Sequence, residues 1–135
     1  MTGTTASARS DQGLLVLRLA IAGLLLVHGV SKLGSGVDWI GGILTGLGLP
    51  GFLAYGAYVG EIVAPLLVLA GTFTRPAALV MAFHMVAATL LARREAIFTI
   101  NPQSGGLGIE LELLFLLGAV AIALLGSGRY AVRPD

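Results

Sequence analysis

Cysteine is absent from this chain, and charged residues are scarce. The absence of cysteine excludes a disulfide framework, a thiolate nucleophile, an iron–sulfur cluster and a covalently attached c-type haem. It also means that the chain cannot itself be a thiol–disulfide relay. Any redox function must therefore depend on other groups or on a partner.

Charged residues make up only 11% of the 135 residues, whereas 56% are hydrophobic and the mean hydropathy is +0.94. Soluble domains usually carry about 25% charged residues, because much of a small domain must face water. The composition therefore indicates a single domain with a membrane as its solvent. The formal net charge of +1, without a basic or acidic block, argues against nucleic acid as a partner.

Four apolar segments are each about as long as the ~20 residues that a helix needs to cross a bilayer. They cover residues 14–33, 52–71, 75–94 and 107–126. The alternating pattern of barrel strands is absent, so we predict an all-α membrane protein with a bundle of four transmembrane helices. Residues 14–126 form this domain, between a disordered N-terminal tail (1–13) and a C-terminal tail (127–135). The lipid bilayer is its first predicted partner.

A further apolar stretch, residues 37–49, is too short to cross the bilayer. Val37, Ile40 and Leu44 recur at helical spacing, and Trp39 is suited to the membrane interface. We expect a short interfacial or re-entrant segment here, between helices 1 and 2.

Four crossings place both chain termini on one side of the membrane. That side carries Arg9, Arg75, Arg129 and Arg133, and the opposite side carries Lys32, Arg93 and Arg94. The excess of positive charge predicts that both termini are cytoplasmic.

Several ionisable residues fall within the apolar spans. Each costs of order 2.5–3.5 kcal/mol at membrane depth, so such residues usually face a partner, a cavity or a substrate. Arg18, His28 and Lys32 share an arc of roughly 80° on the first span, although Lys32 could also extend to the interface. Glu61 lies mid-span, where it must be protonated or paired, and Pro65 disrupts the helical bond to its carbonyl. Such a pair could also do no more than set the helix register.

Three other ionisable residues leave alternatives open. His84, in the middle of the third span, is either a satisfied core group or a ligand. Glu110 and Glu112 open the fourth span about 200° apart, so only one of them can face the bundle centre. A glutamate in a first helical turn is also favourable on electrostatic grounds alone.

The sequence has no dinucleotide fingerprint, phosphate loop or metal-ligand spacing. His28 is about 7 Å further along the bundle axis than His84, which fits paired haem ligands poorly. We therefore expect no metal, flavin or haem.

A quinone headgroup matches the ionisable residues of the spans better than these cofactors, because it needs donors to its carbonyl oxygens and a group that exchanges protons. Two alternatives are a small proton-coupled transporter that uses Glu61 and a purely structural membrane subunit.

A series of short motifs follows in order along the chain. They are LRL (17–19), LVHGVSKL (26–33), LGLP (47–50), GE (60–61), GTFTR (71–75), GG (105–106) ahead of Glu110, and LGSGRY (125–130). Over residues 14–132 this order resembles the DoxX family. The resemblance implies a small bacterial four-helix protein of the cytoplasmic (inner) membrane. Relatives are described as a subunit of a thiosulfate:quinone oxidoreductase, or as membrane partners of sulfur-metabolism and superoxide-defence enzymes.

The resemblance also implies a set of site residues. The family's polar positions correspond to Arg18, His28, Lys32, Glu61 and Glu110. We take these five as candidate quinone-binding residues, with Glu61 and His28 as the candidate catalytic pair. Lys32 and His28 would donate to a carbonyl, a glutamate would handle the proton, and a partner oxidoreductase or another subunit of a membrane complex would supply electrons. Phe115 stands where the family often has an aromatic hydroxyl.

Overall fold

The computed structural model describes residues 2–135, with side chains described from Ser7 onwards. Within these residues the fold is all-helical, with one isolated bridge between Ile100 and Leu107 and no strand. Its helices are α1 (Thr2–Ser35), α2 (Asp38–Gly46), α3 (Gly56–Tyr58), α4 (Ala64–Ala70), α5 (Thr74–Ala92) and α6 (Glu110–Leu125). The prediction of an all-α membrane protein with a short helix after the first span is confirmed.

The second span runs from Gly51 to Ala70 and changes its winding along its length. It begins as a 3₁₀ turn (Gly51–Tyr55), continues through α3, widens into a π turn (Val59–Val63) and ends as α4. Pro65 explains the position of the wide turn, because a proline cannot donate to the carbonyl four residues earlier, which is that of Glu61. The π turn therefore carries Glu61 at the point where the regular ladder is interrupted.

Three helical segments are long and apolar enough to cross a membrane: Ser7–Ser35, Gly51–Ala70 and Thr74–Ala92. The fourth, α6, has 16 residues and rises about 24 Å, somewhat less than the ~30 Å of hydrocarbon. The structure is therefore compatible with the predicted four crossings, and three of them meet the length requirement.

Helix α1 begins much earlier than the sequence predicts. The sequence predicts a disordered N-terminal tail over residues 1–13, but the helix extends from Thr2, and Met1 lies outside the described residues. No proline interrupts this stretch. Asp11 also anchors it, because its Oδ1 accepts a hydrogen bond of 3.2 Å from the backbone N–H of Arg129.

The core lies at one end of the bundle, where α1, α4, α5 and α6 meet. It consists largely of alanine, methionine and branched aliphatic side chains, such as Ala22, Leu25, Val68, Met81 and Ile122. Small residues let helix axes approach closely, which is the usual packing mode where lipid removes the hydrophobic driving force. A smaller cluster packs α2 against the start of the second span and includes Leu44 and Ala57.

Arg18 ties the core end of the bundle together. The residue is 1% exposed, and its guanidinium donates to the carbonyl oxygens of Val68 (2.9 Å), Leu69 (3.0 Å), Ser127 (3.0 Å) and Tyr130 (2.6 Å). Val68 and Leu69 belong to the last turn of α4, where carbonyls have no partner within the helix, so the buried cation satisfies them and complements the helix dipole. We name Arg18 and these four carbonyls the Arg18 cluster.

The C-terminal segment, residues 127–135, packs back onto the bundle. Its backbone N–H groups at Val132 and Arg133 donate to the carbonyls of Ala70 (2.9 Å) and Gly71 (3.0 Å). Asp135 accepts a hydrogen bond of 3.0 Å from the N–H of Arg75, at the start of α5. The segment predicted as a tail is therefore hydrogen-bonded to the connection between α4 and α5.

We expect Arg18→Met to destabilise the fold by about 3 kcal/mol or more, because four buried carbonyls lose a charged donor. Thermal unfolding in a mild detergent, followed by circular dichroism, measures the change. Arg9→Met is the matched control, since Arg9 is an exposed arginine on the same helix. Equal unfolding temperatures for the two variants would contradict a structural role for the Arg18 cluster.

Candidate functional site

A cavity of about 750 Å³ lies at the other end of the bundle. The second half of α1, helix α2, the second span, α5 and the start of α6 surround it. Most of its lining is apolar, with Trp39, Ile43, Phe83 and Leu91 among the larger side chains. This volume and this lining are typical of sites that bind small molecules.

Three ionisable side chains meet on the wall of the cavity, and we name them the Glu61 cluster. Lys32 Nζ lies 2.9 Å from both carboxylate oxygens of Glu61, and His84 Nε2 lies 3.1 Å from Oε2. The side chains are 21% (Lys32), 6% (Glu61) and 16% (His84) exposed. A buried carboxylate needs a cation and hydrogen bonds to compensate for its lost hydration, and Lys32 supplies both.

Both carboxylate oxygens of Glu61 have a charged or polar neighbour. Lys32 donates a hydrogen bond to Oε1, with the ammonium 2.9 Å away. Oε2 has almost no exposed surface and lies 2.9 Å from the same ammonium and 3.1 Å from His84 Nε2.

Two glycines allow the helices to approach the Glu61 cluster closely. A methyl group on Gly29 of α1 would overlap the backbone carbonyl of Glu61, and one on Gly60 would overlap the base of the His84 ring. The hydroxyl of Tyr58 also donates to the carbonyl of Lys32 at 3.1 Å, which links the second span to the end of α1. The backbone thus holds the three ionisable groups within contact distance.

His28 lines the same cavity one helical turn before Lys32. Its ring meets the buried ring of Phe115 edge-on, with centroids 5.6 Å apart and planes at 85°. This T-shaped contact is a favourable aromatic geometry that fixes the plane of the imidazole. His28 is exposed and belongs to the lining of the cavity.

A second ion pair lies on the cavity lining, at the junction of α5 and α6. Arg93 Nε is 3.2 Å from Glu112 Oε1, and a terminal nitrogen of Arg93 donates to the carbonyl of Gly108 at 2.8 Å. These contacts tie the connection between α5 and α6 to both helices. Arg93 is half-exposed, as expected for a surface pair that contributes little to stability.

The structure brings together three of the five predicted site residues. His28, Lys32 and Glu61 line the cavity, whereas Arg18 is at the opposite end of the bundle with its donors directed at backbone carbonyls. Glu110 is exposed, with its carboxylate beside Gly106 and outside the cavity lining. Of the two glutamates that open α6, Glu112 is the one that faces the cavity.

His84 belongs to the cluster, although sequence reasoning left its role open. A comparison of depths could have identified it. Glu61 follows the predicted start of the second span at residue 52 by nine positions, and His84 precedes the predicted end of the third span at residue 94 by ten. At 1.5 Å per residue both lie about 14–15 Å from the same end of an antiparallel pair. The matched depth of the two residues therefore indicates that His84 is a partner of Glu61.

Comparisons with known proteins agree with the motifs. The DoxX family model matches residues 13–94, which confirms the resemblance noted in the sequence. The chain is also similar to "Putative oxidoreductase CatD" of Bacillus subtilis (strain 168), with 30% identity over 122 residues that cover 90% of this chain and 85% of that protein. No solved structure gives a significant match.

We expect Gly29→Ala to destabilise the protein by about 1–3 kcal/mol, because the added methyl forces α1 away from the π turn. Gly23→Ala on the same helix is the matched control. Open space surrounds Gly23, so alanine there should stabilise the helix by about 0.5–1 kcal/mol. Thermal unfolding in detergent measures both changes, and the same sign for the two variants would argue against close packing at Gly29.

Proposed function

Because this membrane protein belongs to the DoxX family, we propose that it is a membrane subunit of a redox system whose cavity binds a quinone or another lipophilic electron carrier. The observation that carries this proposal is the position of the Glu61 cluster on the wall of a largely apolar cavity. Apolar walls accept a lipophilic ring, and a few convergent polar groups orient it.

The residues on the cavity wall fit a quinone by their chemistry. Its two carbonyl oxygens accept hydrogen bonds, and Lys32 retains donors beyond the one it gives to Glu61 Oε1. His28 offers a second donor from the same helix, held in plane by Phe115. A bound quinone would supply the redox chemistry, because it takes up two electrons and two protons to become a quinol.

Glu61 and His84 would exchange protons with the bound quinone. Their Oε2 and Nε2 atoms are 3.1 Å apart, within reach for a proton to pass between them. Histidine changes its charge near neutral pH more readily than other side chains, which suits it to receive or release that proton. Lys32 holds the carboxylate in position and balances its charge.

The electrons would come from a partner oxidoreductase or another subunit of a membrane complex, since the sequence carries no dinucleotide fingerprint and no cysteine. The name of the Bacillus subtilis relative supports an oxidoreductase setting. We propose the bacterial cytoplasmic membrane as the location, with both termini cytoplasmic, on the basis of the arginine distribution.

Trp39 provides a direct test of quinone binding. It is the single tryptophan of the chain and lines the cavity, so a bound quinone should quench its fluorescence. We expect saturable quenching by a short-chain quinone in detergent or nanodiscs. The double variant Lys32→Met, Glu61→Met removes the ammonium donor while keeping the charge balanced and adds no new donor, and it should raise Kd about tenfold or more.

Glu110→Gln is the control, since Glu110 is exposed and outside the cavity lining. It should bind the quinone like the unmodified protein. Unfolding temperatures of all variants verify that the fold is retained. The proposal fails if the quinone quenches Trp39 no more than it quenches a free tryptophan analogue in the same detergent, or if the folded double variant binds as tightly as the unmodified protein.

A further inference from the structure

The cavity extends from the middle of the bundle to one of its ends. Glu61 and His84 lie in the middle of their spans. Arg93 directly follows the last residue of α5, and Glu112 lies in the first turn of α6. All four residues line the cavity. His84 and Arg93 are nine positions apart, which along α5 corresponds to a rise of about 13–14 Å. The cavity therefore connects the Glu61 cluster with the end of the bundle that carries the α5–α6 connection (residues 93–109).

The wall of the cavity becomes more exposed toward that end. The exposed fraction of the side chain rises from 6% at Glu61 and 16% at His84 to 47% at Arg93. We name Arg93 and Glu112 the mouth pair. A polar space of this size can hold water, and the mouth pair offers it hydrogen-bond partners. The residues of α5 that line this stretch include three with small side chains, Ala87, Ala88 and Ala92.

The core closes the cavity in the other direction. Leu25 and Phe115 belong both to the cavity lining and to the core, and they are 1% and 3% exposed. Behind them, Met81 and Val68 are completely buried. A close-packed apolar core has few spaces large enough for water, and apolar spaces of that kind stay dry. Water therefore reaches the cavity from the end with the mouth pair and not through the core.

The ionisable groups of the cavity all lie on the open side of the core. Those among the lining residues are His28, Lys32, Glu61, His84, Arg93 and Glu112. His28 and Lys32 follow Leu25 along α1, and His84 follows Met81 along α5 by about one turn. A proton or a water molecule leaving the Glu61 cluster therefore has polar partners toward the mouth pair and only apolar packing in the other direction.

We propose that the mouth pair opens an aqueous path to Glu61, so that the site exchanges protons only with the side of the membrane that carries the α5–α6 connection. This inference rests on the proposed function and specifies the source of its protons. A quinone that is reduced in the cavity takes up two electrons from the partner oxidoreductase and two protons from water on that side, through Glu61 and His84. Oxidation of the quinol returns two protons to the same side.

The absence of cysteine makes the path testable, because a single introduced cysteine is the only thiol of the chain. Ala88→Cys places it on the cavity wall, about one turn from His84 toward the mouth pair. Val86→Cys is the matched control, since Val86 lies on the same helix but is exposed on the outer surface and outside the cavity lining. Ser10→Cys and Ser104→Cys, both at exposed positions, report which end of the bundle faces the reagent.

Each single-cysteine variant is treated with a membrane-impermeant, positively charged methanethiosulfonate in sealed vesicles of both orientations. The thiolate is the reacting form, so a thiol on the cavity wall must be hydrated to react, whereas one that faces lipid reacts slowly. In the orientation that labels Ser104→Cys, we expect Ala88→Cys to react about tenfold or more faster than Val86→Cys. In the orientation that labels Ser10→Cys, we expect Ala88→Cys to remain unlabelled.

Labelling of Ala88→Cys from the side of Ser10→Cys, or a rate no higher than that of Val86→Cys in both orientations, would overturn the inference. Unfolding temperatures verify the fold, and Ala87→Cys, also on the cavity wall, replaces Ala88→Cys if that variant does not fold. Quenching of Trp39 by a quinone does not depend on the side from which water enters, so these outcomes would leave the proposed function intact. Loss of that quenching would instead overturn the proposed function.

Discussion

Glu61 brings a carboxylate into the apolar interior of the bundle. The side chains and glycines at the cavity end of the structure are arranged to contact and pair with that charge. Lys32 reaches it from α1 and His84 from α5, while the π turn displays it between them. Gly29 and Gly60 leave the space that this approach needs. A buried carboxylate that lost its cation would be strongly destabilising, so these features depend on one another.

Arg18 and Glu61 are buried with different kinds of partner. Every hydrogen bond that Arg18 makes goes to a backbone carbonyl of the protein, and its side chain is buried in the core. Glu61 is instead paired with two ionisable side chains, Lys32 and His84, that line a cavity. Saturation by the protein's own backbone is typical of a structural charge, whereas a group of ionisable side chains beside a cavity is typical of a ligand site.

Composition and periodicity predict the helical membrane fold, because spanning length and apolar content are properties of local sequence. They also predict a partner for Glu61, since a mid-span carboxylate needs one. They do not decide which of Glu110 and Glu112 faces the cavity, because that depends on how α6 is rotated against its neighbours. Two of the four acceptors of Arg18, Ser127 and Tyr130, could not be predicted either, because they lie on a C-terminal segment without hydrophobic periodicity.

The Arg18 cluster also sets an order of events during synthesis. Arg18 enters the bilayer with the first helix, yet two of its four acceptors lie 109 and 112 residues further along the chain. At about 5–20 residues per second, translation needs of order 5–20 s to reach them. Val68 and Leu69 become available about halfway through that interval. Two of the four hydrogen bonds of Arg18 can therefore form only after all of α6 has been synthesised.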